Sequence, residues 1–358
     1  MLGLPYSLKT ILHEMRGLFI PIWLCLAKID EVEMFVKARN FLILRLDRIG
    51  REILMKTIVT GATGQLGHDL IVELDRRGHK AIGTARKMPK SLQDSECFVK
   101  LDITDENAVK EIIASCRPDA IIHCAAWTAV DEAEDEENRS KVYDANVMAT
   151  AFFAEAAKSV DAKMLYLSTD YVFDGQGTRP WEPDDKCFAP LNYYGKTKLE
   201  GELAVSSILE KYYIARIAWV FGLNGKNFIK TIIDVGKTHD EVRVVSDQIG
   251  TPTYTKDLAR LLVDMVETDR YGYYHATNSE GELGSYISWA DLAEEAYRAA
   301  GMNTKVVRVS TEEYGLSKAV RPHNSRLDKR KLMGSGFVPL PPWKDAVRRY
   351  IEEAGLYA

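Results

Sequence analysis

The segment KTIVTGATGQLGHDLIVELDRRG, residues 56–78, runs from a β-rich apolar pentapeptide into three glycines and then into a helical stretch. A strand, a glycine turn and a helix in that order open a parallel βαβ unit, which needs partners of the same kind to complete a sheet. Glycines at 61, 64 and 67 permit the tight turn. They also let backbone N–H groups approach an anion at the helix N-terminus, where the macrodipole favours negative charge. The spacing is G-x-x-G-x-x-G rather than G-x-G-x-x-G, and glycines alone would also make a simple turn. Lodged between strand and helix, they point to a dinucleotide pyrophosphate.

Five further β-rich runs alternate with helical stretches: HKAIGT (79–84), CFVKL (97–101), DAIIHCA (119–125), AKMLYLS (162–168) and YYIARIA (212–218). With KTIVT they predict an α/β fold, a Rossmann-like doubly wound parallel sheet. After residue 222 the alternation loosens through VRVVSDQ, YGYYHAT, KVVRVS and a closing WKDAVRRYIEEAG helix, which predicts a smaller C-terminal α/β substrate domain. The expected division is an NAD(P)-binding domain over 55–222, with 252–278 packed on it, and a substrate-binding domain over 223–251 and 279–358. A Pro-rich polar stretch, 179–190, is expected as a loop above the site.

Residues 1–54 precede what reads as the natural beginning of the nucleotide-binding domain and are expected to be an upstream extension, poorly ordered or not native. Its apolar run GLFIPIWLCLA (17–27) is too short to span a bilayer. The 358 residues carry a formal charge of −5, so the chain has no general attraction for nucleic acid. An anionic ligand must therefore be held by local cations or backbone N–H groups. Five scattered cysteines without a CxxC predict reduced thiols in a cytoplasmic protein, and neither histidines nor carboxylates show metal-ligand spacing, so no metal is expected.

The cofactor is read at the end of the second strand, where an acid would bind a ribose 2′-OH and Arg a 2′-phosphate. GTARK offers Arg86 and Lys87 with no acid before Asp94, which favours NADP(H) while leaving NAD(H) acceptable. Chemistry is read at YYGKTK, 193–198. On a helix Tyr194 and Lys198 stand four apart on one face, whereas the residue four after Tyr193 is Thr197. That spacing also describes an ordinary amphipathic helix, but here it follows STDYVFDG (168–175), which brings Thr169 to a strand end. A carbonyl being reduced needs a proton and a hydrogen-bond donor at its oxygen. Tyr194 supplies the first, its pKa of about 10 expected to be lowered by the Lys198 ammonium. Thr169 supplies the second.

The glycine motif, the Thr and the YxxxK occur in the order found in the extended short-chain dehydrogenase/reductases, and the chain resembles that family from Met55 onward. HCAAWTAVDEAE (123–134), PLNYYGKTKLEGE (190–202), RIAWVFG (216–222), DQIGTPT (247–253) and RPHNSRLD (321–328) extend the likeness. The resemblance implies a catalytic trio of Thr169, Tyr194 and Lys198 and reduction of a nucleotide-sugar substrate. It implies cofactor contacts from Gly61, Gly64, Gln65, Leu66, Gly67, Arg86, Asp102, Ile103, Ala125 and Ala126, with Tyr194 and Lys198. It implies substrate contacts from Thr128, Val130, Tyr171 and Trp219 around the sugar, and from Asn227 and Arg321 near the diphosphate. A homodimer is the implied assembly, and no membrane partner is expected. Two alternatives stay open: a different keto nucleotide sugar, or a non-catalytic regulatory subunit of the kind that binds methionine adenosyltransferase.

Overall fold

The computed structural model describes residues 54–87, 97–280 and 286–357; the expected extension, apart from Leu54, and Asp94 lie outside the described residues. Six parallel strands follow the alternation read from the sequence: β1 (Lys56–Thr60), β2 (Lys80–Ala85), β3 (Phe98–Lys100), β4 (Ala120–His123), β5 (Lys163–Thr169) and β6 (Tyr212–Ile217). A seventh, β7 (Gly272–His275), comes from the YGYYHAT run and pairs with β6. The order across the sheet is β7-β6-β5-β4-β1-β2-β3, and every neighbouring pair is parallel. Strand order reverses between β1 and β4, and a crevice opens there at the carboxyl ends of the strands.

Both faces of the sheet are covered, which is why β4 reads AIIH without a polar alternation and is buried throughout. Along β1, Val59 points to one layer and Ile58 to the other. On the Val59 side, helix α1 (Gln65–Arg76) sends in Leu66, Leu70 and Leu74, and the helix Thr255–Val266 adds Leu258 and Leu262. On the Ile58 side lie α2 (Glu106–Cys116), α3 (Ala149–Ser159) and α4 (Tyr193–Ile208), through Ile113, Phe153 and Val205. Each fully buried Leu or Ile contributes roughly 1.5–3 kcal/mol, so this double packing fixes the strand ends that build the crevice.

A further core forms where the alternation loosens. The parallel pair Glu241–Val245 and Lys305–Val309 packs with the helices Phe228–Gly236, Trp289–Ala300 and Trp343–Ala354 through Ile233, Val244, Ala293, Tyr297, Val347 and Tyr350. Leu332, Phe337 and Leu340 leave that region and pack into the first core beside Leu258. The stretch 179–190 does not line the crevice. Trp181 stacks on Phe173 with ring centres 4.7 Å apart, and the Pro183 carbonyl accepts a hydrogen bond from Arg216, so these residues close over a buried arginine instead.

Candidate active site

A cleft of about 880 Å³ opens at the carboxyl ends of β1, β4 and β5. It is lined by every site residue named from the sequence except Asn227, and Lys87 lies exposed beside the lining residue Arg86. One end is the glycine turn. Gly61 has φ +66°, a left-handed conformation that favours glycine, and its Cα approaches the Ala125 backbone so closely that a Cβ would stand 3.0 Å from the Ala125 nitrogen. A Cβ on Gly67 would stand 2.2 Å from the Gly61 carbonyl oxygen, so α1 can lie against the turn only with glycine there. Gly64 caps α1 without a side-chain hydrogen bond. The first-turn N–H groups thus face the cleft with no side chain competing for them, which fits a pyrophosphate. Arg86 at the end of β2 and Asp102 after β3 stand at the same end. The Asp102 carboxyl is held below the usual range by hydrogen bonds from the Thr104 backbone and hydroxyl, and weakly by Arg86.

The wall after β4 is held from beneath. Thr60 accepts the Ala125 N–H at 3.0 Å and pairs with His123 Nδ1 at 2.9 Å. Burial drives His123 down to about 3, so the imidazole is neutral and acts as a strut. The Trp127 N–H donates to Asn146 at 2.8 Å, and Asn146 donates on to Thr197 at 3.0 Å, linking that wall to α4. Asn146 lies in a π-helical turn, Asp144–Met148, whose wider winding places its side chain between the two.

Thr169, Tyr194 and Lys198 all line the cleft, as the end of β5 and one face of α4 dictate. Tyr193 points elsewhere: its hydroxyl donates to the Arg139 carbonyl at 3.3 Å. Gly195 lets α4 approach β5's following turn, because a Cβ there would stand 2.4 Å from the Tyr171 carbonyl oxygen. The expected electrostatic coupling differs from the geometry. Lys198 Nζ donates to the Leu167 carbonyl at 2.5 Å and lies 4.0 Å from the centre of the Tyr166 ring. Burial lowers this lysine to about 7, against the pull of Glu202. The Tyr194 phenol is raised above its ordinary value, chiefly by burial and then by Asp170 and Tyr171, with the nearby Thr169 hydroxyl pulling the other way. Tyr194 is therefore a protonated phenol at neutral pH, the form a proton donor requires. The i, i+4 spacing placed both groups on one face, but Lys198 lies one turn further along α4 and reaches the Leu167 carbonyl on the interior strand β5.

At the other end, Tyr171 stands edge-on to Tyr194 with ring centres 5.8 Å apart, and its hydroxyl accepts from Arg321 at 3.3 Å. Arg321 also donates to Asp131 at 2.6 Å, joining the loop after β4 to the C-terminal region. Trp219, at φ +51°, stacks on Trp289 with ring centres 4.0 Å apart. Asn227 is turned inward: it caps the helix Phe228–Gly236 and donates to Gly222, Gln65 and Tyr350. Sequence reasoning passed over Asp131, Asn146, Asp170 and Glu202. STDYVFDG and DEAE displayed two of them, but burial and pairing, which single them out, are not written in spacing.

The fold, the glycine turn at its switch point and the meeting of Thr169, Tyr194 and Lys198 in one cleft define an NAD(P)-dependent oxidoreductase of the extended short-chain dehydrogenase/reductase class. The chain belongs to the RmlD substrate binding domain family, whose model matches residues 55–356. It is 40% identical over 296 residues to the dTDP-4-dehydrorhamnose reductase of Streptomyces griseus, covering 81% of this chain and 91% of that one. A dTDP-4-dehydrorhamnose reductase from Clostridium acetobutylicum, seen by crystallography, superposes with TM-score 0.76 at 40% identity over 84% of this chain and 100% of its own. The Bacillus anthracis dTDP-4-dehydrorhamnose reductase, crystallised in complex with NADP, superposes with TM-score 0.75 at 37% identity, again over 84% and 100%.

Proposed function

We propose that this protein reduces the 4-keto group of dTDP-4-dehydro-β-L-rhamnose to give dTDP-β-L-rhamnose, using NADPH. The observation that carries this reading is the conjunction of a 40% identity that runs along nearly the whole length of dTDP-4-dehydrorhamnose reductases with a Thr, Tyr and Lys converging on the cleft. When bound, NADPH supplies the hydride. Gly61, Gly64, Gln65, Leu66 and Gly67 would hold its pyrophosphate, Arg86 its 2′-phosphate, and Asp102 and Ile103 its adenine side. Tyr194 holds the proton that the developing alkoxide takes, and Thr169 offers a hydroxyl to the same oxygen. Lys198 would support the nicotinamide ribose. Thr128, Val130, Tyr171 and Trp219 would surround the sugar, and Arg321 would meet the diphosphate by a planar, multidentate contact that lysine could not reproduce. Asn227, committed to its cap, would support the cofactor-facing Gln65.

The non-catalytic alternative is disfavoured, since the Tyr and Lys it would dispense with are both present at the cleft. Among the described residues no helix is long and apolar enough to cross a membrane. A cytoplasmic location, where NADPH and nucleotide sugars are made, and a homodimer complete the reading, as does a division between 55–222 with 252–278 and 223–251 with 279–358. The test is product identification: the chain from Met55 is incubated with NADPH and a panel of 4-keto nucleotide sugars. Formation of dTDP-rhamnose from the dTDP-4-dehydrorhamnose sample supports the assignment. Turnover of another keto sugar alone would replace it.

A further inference from the structure

Asp170 lies between Thr169, assigned to the chemistry, and Tyr171, assigned to the sugar, and is itself almost wholly buried, with 2% of its surface exposed. It lines the cleft. The Thr169 hydroxyl donates its one hydrogen to Asp170 Oδ1 at 2.9 Å, and the Thr169 oxygen accepts the Tyr171 N–H at 3.2 Å. The other carboxyl oxygen, Oδ2, is buried with no hydrogen-bond partner of proper geometry among the described residues. A hydroxyl has a single hydrogen. While Thr169 gives it to a carboxylate, it has none to offer a substrate oxygen or the Tyr194 phenolate. If the carboxyl carries the proton, the bond reverses: Asp170 donates to Thr169, and the Thr169 hydrogen is released toward the cleft.

We propose that Asp170 is a positioning residue whose protonation sets the direction of the Thr169 hydroxyl, and that the protonated form is the one in which Thr169 donates to the reacting oxygen. The surroundings agree. Burial lifts the Asp170 carboxyl to about 6, with Ser325 and Thr169 pulling the other way. Among the described residues, Tyr194 on α4 and Tyr171 are the titratable groups whose phenols its charge raises. The two nearby cations are directed elsewhere, Lys198 to the Leu167 carbonyl and Arg321 to Asp131 and Tyr171. Ionised Asp170 therefore works against the reaction twice, by holding the Thr169 hydrogen and by disfavouring negative charge on Tyr194.

The proposal rests on the reductase reading, and its test separates the two. Product formation at saturating NADPH and substrate is followed from about pH 5 to about pH 8 for the wild type, Asp170→Asn and Thr169→Val. The wild-type kcat should fall by about tenfold or more as pH rises through the Asp170 titration, the cost of losing one donor to the developing oxyanion. Asp170→Asn should lose that limb because nothing ionises there, and Thr169→Val should keep only the smaller part that acts through Tyr194. Lys198 titrates in all three proteins, so an active wild type whose profile matches that of Asp170→Asn, or a limb undiminished in Thr169→Val, overturns the proposal. Infrared difference spectra of wild type minus Asp170→Asn give a second reading that needs no turnover. A protonated-carboxyl band at the acid end that vanishes at the alkaline end is expected. A carboxylate throughout that range overturns the proposal even if no substrate is turned over, whereas an inactive wild type showing the band contradicts only the reductase reading.

Discussion

Glu202 and Arg216 form a bidentate ion pair, 2.8 and 2.7 Å, with side chains 0% and 1% exposed. Glu202 stands one helical turn beyond Lys198 on α4, and Arg216 stands on β6 with its guanidinium over the Phe173, Phe188 and Tyr273 rings. The pair thus ties the helix that bears Tyr194 and Lys198 to the sheet. Taking two charges out of water costs several kcal/mol per ion, and only the matched geometry, with the added bond to Pro183, offsets it.

Removing one partner should therefore be worse than removing both. Arg216→Met is expected to cost about 3–5 kcal/mol of folding stability, because it strands the Glu202 carboxylate. Arg216→Met with Glu202→Leu should recover much of that loss. Urea denaturation of the two variants checks it, and equal losses would show that packing around Arg216, rather than the stranded charge, dominates.

Asp170 gives a pH dependence of stability with a definite sign. Its carboxyl is raised in the folded protein from the ordinary 3.8 to about 6, so its stabilising contribution is complete below 3.8 and lost as pH rises through about 6. That difference corresponds to roughly 3 kcal/mol, so Asp170→Asn should gain up to that amount relative to wild type above the window and nothing below it. Thermal melts at the two ends measure the change. A variant less stable at the alkaline end would mean that the carboxylate is satisfied there.

Arg86 should distinguish the cofactors. Arg86→Ala removes a charge-assisted contact worth about 1.5–3 kcal/mol, so NADPH affinity should fall by about 10- to 100-fold. NADH affinity should hardly move. Titration of both cofactors by fluorescence checks this, and a parallel loss for NADH would make Arg86 a general support of the strand end.

The sheet and the glycine turn were legible because parallel strands buried on both faces write continuous apolar runs, and because a strand, glycines and a helix have few other arrangements. Helical periodicity chose Tyr194 over Tyr193, and the structure directs them to the cleft and to Arg139 respectively. What spacing could not supply is where a long side chain ends. Lys198 shares a face with Tyr194 yet reaches the Leu167 carbonyl, so the lowered phenol pKa expected from the spacing gives way to one raised by burial. Asn227 carries the polarity of a ligand contact, but a helix start claimed it. Glu202 and Arg216 are 14 residues apart on different elements, and each alone looks like a surface charge until the fold closes around both.

The most direct measurement is the rate of dTDP-rhamnose formation from dTDP-4-dehydrorhamnose and NADPH by the wild type and by Tyr194→Phe, with NADPH affinity determined for each. The substitution removes one hydroxyl and little packing. Turnover should be present in the wild type and lost in the variant by about 100-fold or more, while NADPH binding stays near the wild-type value. Unchanged turnover in Tyr194→Phe would contradict the assignment of the proton donor, and no turnover by a wild type that binds NADPH would contradict the substrate.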